Sequence, residues 1–196
     1  MVTRYSKFGV VINPQTEEKV NWLDLNLEDV EEKLKDLSFK TGRQLEDILL
    51  NLNIQGRKIA KTDDHGNCKV ADYIGQLEQG EGGTPHYQLW LEVKPQVTKR
   101  ALLKALSQDI YGCDESKAIS VQILTNDDTE YKQYCMKEES RLKLSKEQDA
   151  SVISMGSRTY FNYLEENPEI KKYMTLQGYI SNTFLNLYLN VDEEEK

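Results

Sequence analysis

Residues 69–93, KVADYIGQLEQGEGGTPHYQLWLEV, decide the fold. Lys69 to Glu78 and His86 to Val93 are both strand-like. Between them Gln79-Gly80-Glu81-Gly82-Gly83-Thr84-Pro85 is a glycine-rich connection. Two such runs around a short glycine loop predict a β-hairpin. Upstream, Lys7 to Ile12 (KFGVVI) is apolar and rich in β-branched residues, and Asn13-Pro14 closes it, so a buried strand and a turn are expected. Leu27, Val30, Leu34 and Leu37 then recur at helical spacing behind the capping pair Asn26 and Asp29. Leu45, Ile48, Leu49 and Leu52 repeat the pattern between Gly42 and Gly56. Arg57 to Thr62 suits a strand, and Asp63 to Asn67 is turn chemistry.

Downstream of the hairpin, Thr98 is placed to cap a helix whose core face is Leu102, Leu103, Leu106 and Ile110. Ala118 to Leu124 alternates like a strand. Asn126-Asp127-Asp128-Thr129 opens a last helix running through Glu138, with acids set against its N-terminal dipole. Strand, helices, strands, helix, strand, helix is an α+β order. It favours a largely antiparallel sheet flanked by helices over a doubly wound parallel one.

The 196 residues are enough for one compact domain with an appendage. We divide them into a first domain, residues 1–140, and an extension, 141–196, that begins with the polar stretch Lys143 to Asp149. In that extension Leu164, Tyr179, Phe184, Leu185, Leu187 and Tyr188 suggest helical packing and a candidate element for homo-oligomerisation. No apolar run approaches the roughly 18 residues of a membrane span, and Met1 to Phe8 lacks a signal-peptide core, so an intracellular protein without a membrane partner is expected. Cys68, Cys113 and Cys135 are scattered without CxxC spacing, which argues against a disulfide framework or a zinc ribbon. His65 and His86 are the only histidines, so a site needing three is excluded. A P-loop is absent. The net charge of −8, from 25 Lys+Arg against 33 Asp+Glu, argues at first against nucleic acid. Two acid-free stretches qualify that. One holds Lys94, Lys99, Arg100 and Lys104, and the other Arg57, Lys58 and Lys61. Together they could form a track for phosphates, with Trp90, Tyr87 or Tyr73 stacking bases.

His86 and Gln88 lie two apart on a strand, so both side chains project to one face. Glu78, on the partner strand, returns beside His86 across the ladder. A carboxylate, an amide oxygen and one imidazole suit Mg²⁺ or Mn²⁺ and leave positions open for substrate. An ordinary hairpin with a polar face would carry the same residues. On the last helix Tyr134 and Lys137 share a face. A free tyrosine, with a pKa of about 10, is a weak nucleophile at neutral pH. A nearby cation favours its phenolate, and Lys137 could also neutralise a phosphate. Tyr131, three residues earlier, is a rival nucleophile.

Residues 73–93 (YIGQLEQGEGGTPHYQLWLEV) and 130–138 (EYKQYCMKE) resemble the nicking domain of HUH-type replication initiators, the Rep proteins of circular single-stranded DNA viruses and rolling-circle plasmids. Gly83-Thr84-Pro85-His86-x-Gln88 is similar to their second motif in its His-hydrophobic-Gln form, and Tyr134-Cys135-x-Lys137-Glu138 to their third. The first motif departs from the pattern. Relatives run from a strand into a Thr-Leu-Asn-Asn type sequence, whereas Val10-Val11-Ile12-Asn13-Pro14 stands here, with Asn13 as its best match for single-strand recognition. Asp24 to Asn53 looks like an enlarged helical insert. The superfamily-three helicase of many relatives does not follow, which implies a fragment or a minimal initiator.

The resemblance implies a ferredoxin-like, RRM-like domain that nicks and rejoins single-stranded DNA at a stem-loop origin. It would act in the host nucleus for a eukaryotic virus and in the cytoplasm otherwise. Tyr134 would be the nucleophile and Lys137 its charge partner; Glu78, His86 and Gln88 would hold Mn²⁺ or Mg²⁺. The amide of Gln88 is a weaker ligand than a second imidazole, which predicts activity favoured by Mn²⁺ and lost with chelator. Two other classes stay open: a non-catalytic module that grips single strands, and a structural or assembly domain.

Overall fold

The hairpin forms where the glycine loop places it. In the computed structural model, which describes residues 3–58, 65–125, 128–144 and 152–156, β3 (His65–Gln79) and β4 (Pro85–Val97) pair antiparallel with Glu78 opposite His86. Gly83 closes the connection at φ +79, a conformation open to glycine, and its N–H donates to the Gly80 carbonyl at 2.8 Å. A side chain on Gly83 would also strike Leu23 at 2.7 Å.

Around this pair stand β1 (Tyr5–Ile12), β2 (Ile54–Lys58) and β5 (Ile119–Ile123), in the order β2-β3-β4-β1-β5, with antiparallel pairing throughout. A short β6 (Val152–Ser154) also pairs with β3. The helices are α1 (Leu27–Asp36), α2 (Gly42–Asn51), α3 (Lys99–Tyr111) and α4 (Thr129–Tyr134). The fold is therefore α+β, an antiparallel sheet flanked by helices, as the order of elements predicts. Both expected caps form: Asn26 Oδ1 accepts from the Asp29 N–H at 3.0 Å, and Thr98 Oγ1 from the Ala101 N–H at 3.1 Å.

Cross-strand register divides the sheet into two faces. Tyr73 and Leu77 of β3, Tyr87, Leu89 and Leu91 of β4, and Phe8, Val10 and Ile12 of β1 share one face and are fully buried. Removing each from water contributes about 1.5–3 kcal/mol. On this face the Tyr87 hydroxyl accepts from the Gly42 N–H at 2.7 Å, and the Tyr73 hydroxyl donates to Glu46 Oε1 at 2.8 Å, which fixes α2 over the hairpin. A bulge between Val70 and Asp72 keeps both Val70 and Tyr73 on the buried side, which strict alternation would not allow.

The opposite face carries Gln76 and Glu78, His86, Gln88 and Trp90, and Gly9. Here α4 crosses the strands, with the Lys132 ammonium 3.9 Å above the Trp90 ring.

Three boundaries differ from the sequence expectation. The strand after α2 is Ile54–Lys58, earlier than Arg57 to Thr62, because Ile54 is needed in the core. His65 to Asn67, expected as a turn, begins β3 and pairs with β2. Close backbone approach makes this pairing depend on glycine: a Cβ on Gly56 would lie 2.4 Å from the Gly66 carbonyl oxygen. Residues 59–64 lie outside the described residues. Finally, α4 stops at Tyr134 rather than Glu138, since the chain leaves it to pair with β3. There the Gln79 N–H donates to the Ser140 carbonyl at 2.8 Å, and the Leu142 N–H to that of Leu77 at 3.0 Å.

The chain divides into two compact units, residues 1–153 and 154–196. Arg141 and Leu142, assigned by sequence to the extension, thus belong to the first unit. Of the second, 154–156 are described, and the apolar positions singled out from Leu164 to Tyr188 lie outside the described residues. Among the described residues no helix is long and apolar enough to cross a membrane.

Candidate active site

Because Glu78 and His86 are direct cross-strand partners, their functional atoms meet: His86 Nε2 lies 3.1 Å from Glu78 Oε1. The other ring nitrogen, Nδ1, is 3.1 Å from the Thr84 carbonyl oxygen, an acceptor that fixes the proton there and leaves Nε2 to the site. Burial alone would raise the Glu78 carboxyl pKa. Hydrogen bonds from His86, Ser140 and Gln76, with the Lys137 charge, outweigh it and hold the group below the usual carboxylate range. Burial likewise pulls His86 down, but the Glu78 contact and the Thr84 carbonyl prevail and raise it. Each thus favours the charged form of the other.

Such a pair fits a hard divalent ion. Neighbouring ligands of one ion bound at about 2.1 Å lie about 3.0 Å apart, close to the spacing that Glu78 and His86 already hold. An ion would replace the His86 proton, so binding and deprotonation are coupled. Among the described residues no group of three or more His, Cys, Asp and Glu side chains gathers. Gln88, whose amide oxygen could serve as a third ligand, lies two residues from His86 on the same strand face. Its Nε2 donates to the Tyr131 hydroxyl at 2.5 Å.

The far side of Glu78 is held by residues that motif spacing does not reveal. Ser140 Oγ donates to Glu78 Oε2 at 2.7 Å, and Gln76 Nε2 approaches the same oxygen at 3.4 Å. Gln76 also donates to the Lys137 carbonyl at 2.6 Å and accepts from Arg141 Nε at 2.9 Å, while Arg141 Nη2 reaches the Met136 carbonyl at 3.0 Å. Gln76 was legible as a same-face neighbour of Glu78. Ser140 and Arg141 are more than sixty positions from their partners and left no local signal.

This clamp delivers the end of α4 to the carboxylate. Lys137, expected on the helix, lies beyond it, yet it still meets Tyr134: its ammonium is 4.0 Å from the Tyr134 ring centroid and 3.9 Å from Glu78 Oε2. Burial lowers the Lys137 pKa, but contact with Tyr134 and Glu78 more than compensates and keeps it charged. Tyr134 is 49% exposed. Tyr131, its ring 6.3 Å from that of Tyr134, is half-buried and bonded to Gln88, and burial pushes its phenol pKa well up. Of the two tyrosines, Tyr134 is the one open to a substrate.

The residues expected to meet DNA are dispersed. The Asn13 amide donates to the Ala118 carbonyl at 3.2 Å, and its own carbonyl accepts from the Tyr111 hydroxyl, so it ties β1 to β5 and α3. Lys94 pairs with Glu92 at 3.1 Å, Arg100 with Glu115 at 2.7 Å and Lys104 with Asp114 at 3.3 Å. A stretch without acids in sequence thus acquires them in space. Lys99 is exposed at the start of α3 and Arg57 is exposed on β2; Lys58 ends that strand, and Lys61 lies outside the described residues. Trp90, Tyr87 and Tyr73 cannot stack bases as expected, since all three are buried. No family model matches this chain, and neither does any curated protein.

Proposed function

We propose that this chain cuts and rejoins single-stranded DNA by tyrosine transesterification, as an HUH-type replication initiator at a stem-loop origin. The observation that carries it is the convergence of a Glu78–His86 pair at ligand spacing with Lys137, which lies beside both Glu78 and the exposed Tyr134. The motif resemblance supports the same assignment. Tyr134 Oη would form a bond to phosphorus as the bond to the 3′-oxygen breaks. The phenolic proton leaves, the departing oxygen gains one, and a 5′-phosphotyrosine and a 3′-hydroxyl result. Attack by a 3′-hydroxyl reverses the step and can close a circle. Lys137 would offset charge on the phosphate. Mn²⁺ or Mg²⁺ held by Glu78, His86 and Gln88 would supply Lewis-acid polarisation of the scissile phosphate.

The test is incubation with labelled stem-loop DNA and Mn²⁺, followed by mass spectrometry of the covalent adduct. We expect phosphate on the peptide bearing Tyr134, at that residue, and no adduct from Tyr134→Phe or with chelator. An adduct on Tyr131 would overturn the nucleophile. A second reading, a non-catalytic single-strand binder, is favoured by the fact that Glu78 and His86 satisfy one another without an ion. Binding without cleavage in Mn²⁺ and in Mg²⁺ would establish it instead.

A further inference from the structure

We infer that Tyr131 is a positioning residue that turns the Gln88 amide so that its carbonyl oxygen, not its nitrogen, is offered to a divalent ion. This rests on the metal site proposed above. An amide can be flipped with little change of shape, and an ion accepts only the oxygen end. Something must therefore fix which end faces the site. The Tyr131 hydroxyl does so by accepting from Gln88 Nε2 at 2.5 Å.

A further feature shows that this contact is built into the fold. Gly9 on β1 makes room for it: a Cβ there would lie 2.3 Å from the Tyr131 hydroxyl oxygen and 2.4 Å from Cζ. The phenol thus rests directly on the strand backbone, beside the β4 neighbours of Gly9. With the nitrogen end on Tyr131, Oε1 is the end left for an ion. An outer partner that orients a ligand typically changes metal affinity 10- to 100-fold.

The experiment is Mn²⁺ titration of the whole chain, read from the loss of the free-ion electron paramagnetic resonance signal. Wild type should bind in a His86-dependent manner, and Tyr131→Phe should bind about 10- to 100-fold more weakly. Gly9→Ala, which displaces the phenol, should shift affinity in the same direction. The decisive arm is Gln88→Glu, whose two carboxylate oxygens are equivalent. In that background Tyr131→Phe should change affinity by less than about threefold. Equal binding by wild type and Tyr131→Phe overturns the inference while leaving the metal site standing. An equal loss in both backgrounds also overturns it, by making Tyr131 merely structural. If wild type shows no His86-dependent binding, the metal reading falls, and this inference with it.

Discussion

Arg141→Ala should release the segment that carries Tyr134 and Lys137 without unfolding the sheet. Arg141 donates from Nε to Gln76 Oε1 at 2.9 Å and from Nη2 to the Met136 carbonyl at 3.0 Å. Gln76 is fully buried, so loss of its donor leaves an acceptor out of water, at about 1–3 kcal/mol. The second bond adds about 0.5–1.5 kcal/mol. A local cost of about 2–4 kcal/mol corresponds to opening about 30- to 700-fold more often. Hydrogen exchange read by mass spectrometry measures this directly. The Leu142 amide, bonded to Leu77, and the Gln79 amide, bonded to Ser140, should lose protection by that factor. Amides of β4 from Leu89 to Leu91, which pair with β1 and β3, should be unchanged. Arg141→Lys, which keeps the charge but not the fork, should recover only part. Unchanged protection around Leu142 would refute the clamp. An equal loss across β4 would show that Arg141 supports the whole unit rather than one segment.

Gly75→Ala should be among the most damaging small substitutions in the sheet. Its Cβ would lie 2.3 Å from the Gln88 carbonyl oxygen and 2.9 Å from the Leu89 Cα, both backbone atoms that cannot turn aside. We expect a cost of about 3 kcal/mol and a melting temperature lower by roughly 6–12 °C, checked by calorimetry; a shift within error would contradict the strand spacing. Asp128 gives a pH prediction. Burial raises its pKa, but Lys7, 3.1 Å away, and Lys132 outweigh that and hold it below the usual carboxylate range. A depressed carboxylate contributes stability that is complete above its unfolded pKa and is lost as pH falls through the folded one. Urea unfolding should therefore separate wild type from Lys7→Met at pH 5 and bring them together near pH 2. A gap that persists there would assign the effect to packing of the Lys7 stem.

The parts of the fold that were legible are those fixed by neighbours in sequence. The β3–β4 hairpin is announced by its own glycines, α1 by Asn26 and Asp29, and α3 by Thr98 and its leucine spacing. The β2 boundary was not, because Ile54 is claimed by a distant core and Gly56 by the Gly66 backbone. The same division runs through the site. Glu78 and His86 are paired by the register of one hairpin, so spacing sufficed to bring them together. Tyr134 and Lys137 were expected to meet through one helix, yet they meet across its end, because pairing of Ser140 and Leu142 with β3 ends the helix early. Gln88 was read as a free ligand, and its contact with Tyr131 could not be foreseen from residues 43 positions apart.

Charge shows most plainly why position in sequence is a poor guide to a surface. The stretch from Lys94 to Leu106 is free of acids in sequence, but Glu92, Glu115 and Asp114 fold onto three of its four cations. At Glu78 the balance runs the other way. Within a chain of −8, one carboxylate here faces both Lys137 and His86, and His86 is raised toward its charged form. A divalent ion in place of the His86 proton would add one positive charge. A single phosphodiester group brings one negative charge, and beside Lys137 it would respond to the nearby groups far more than to acids more than a Debye length, about 10 Å, away. The acidic composition of the whole chain therefore says little about whether a phosphate could lie beside Tyr134.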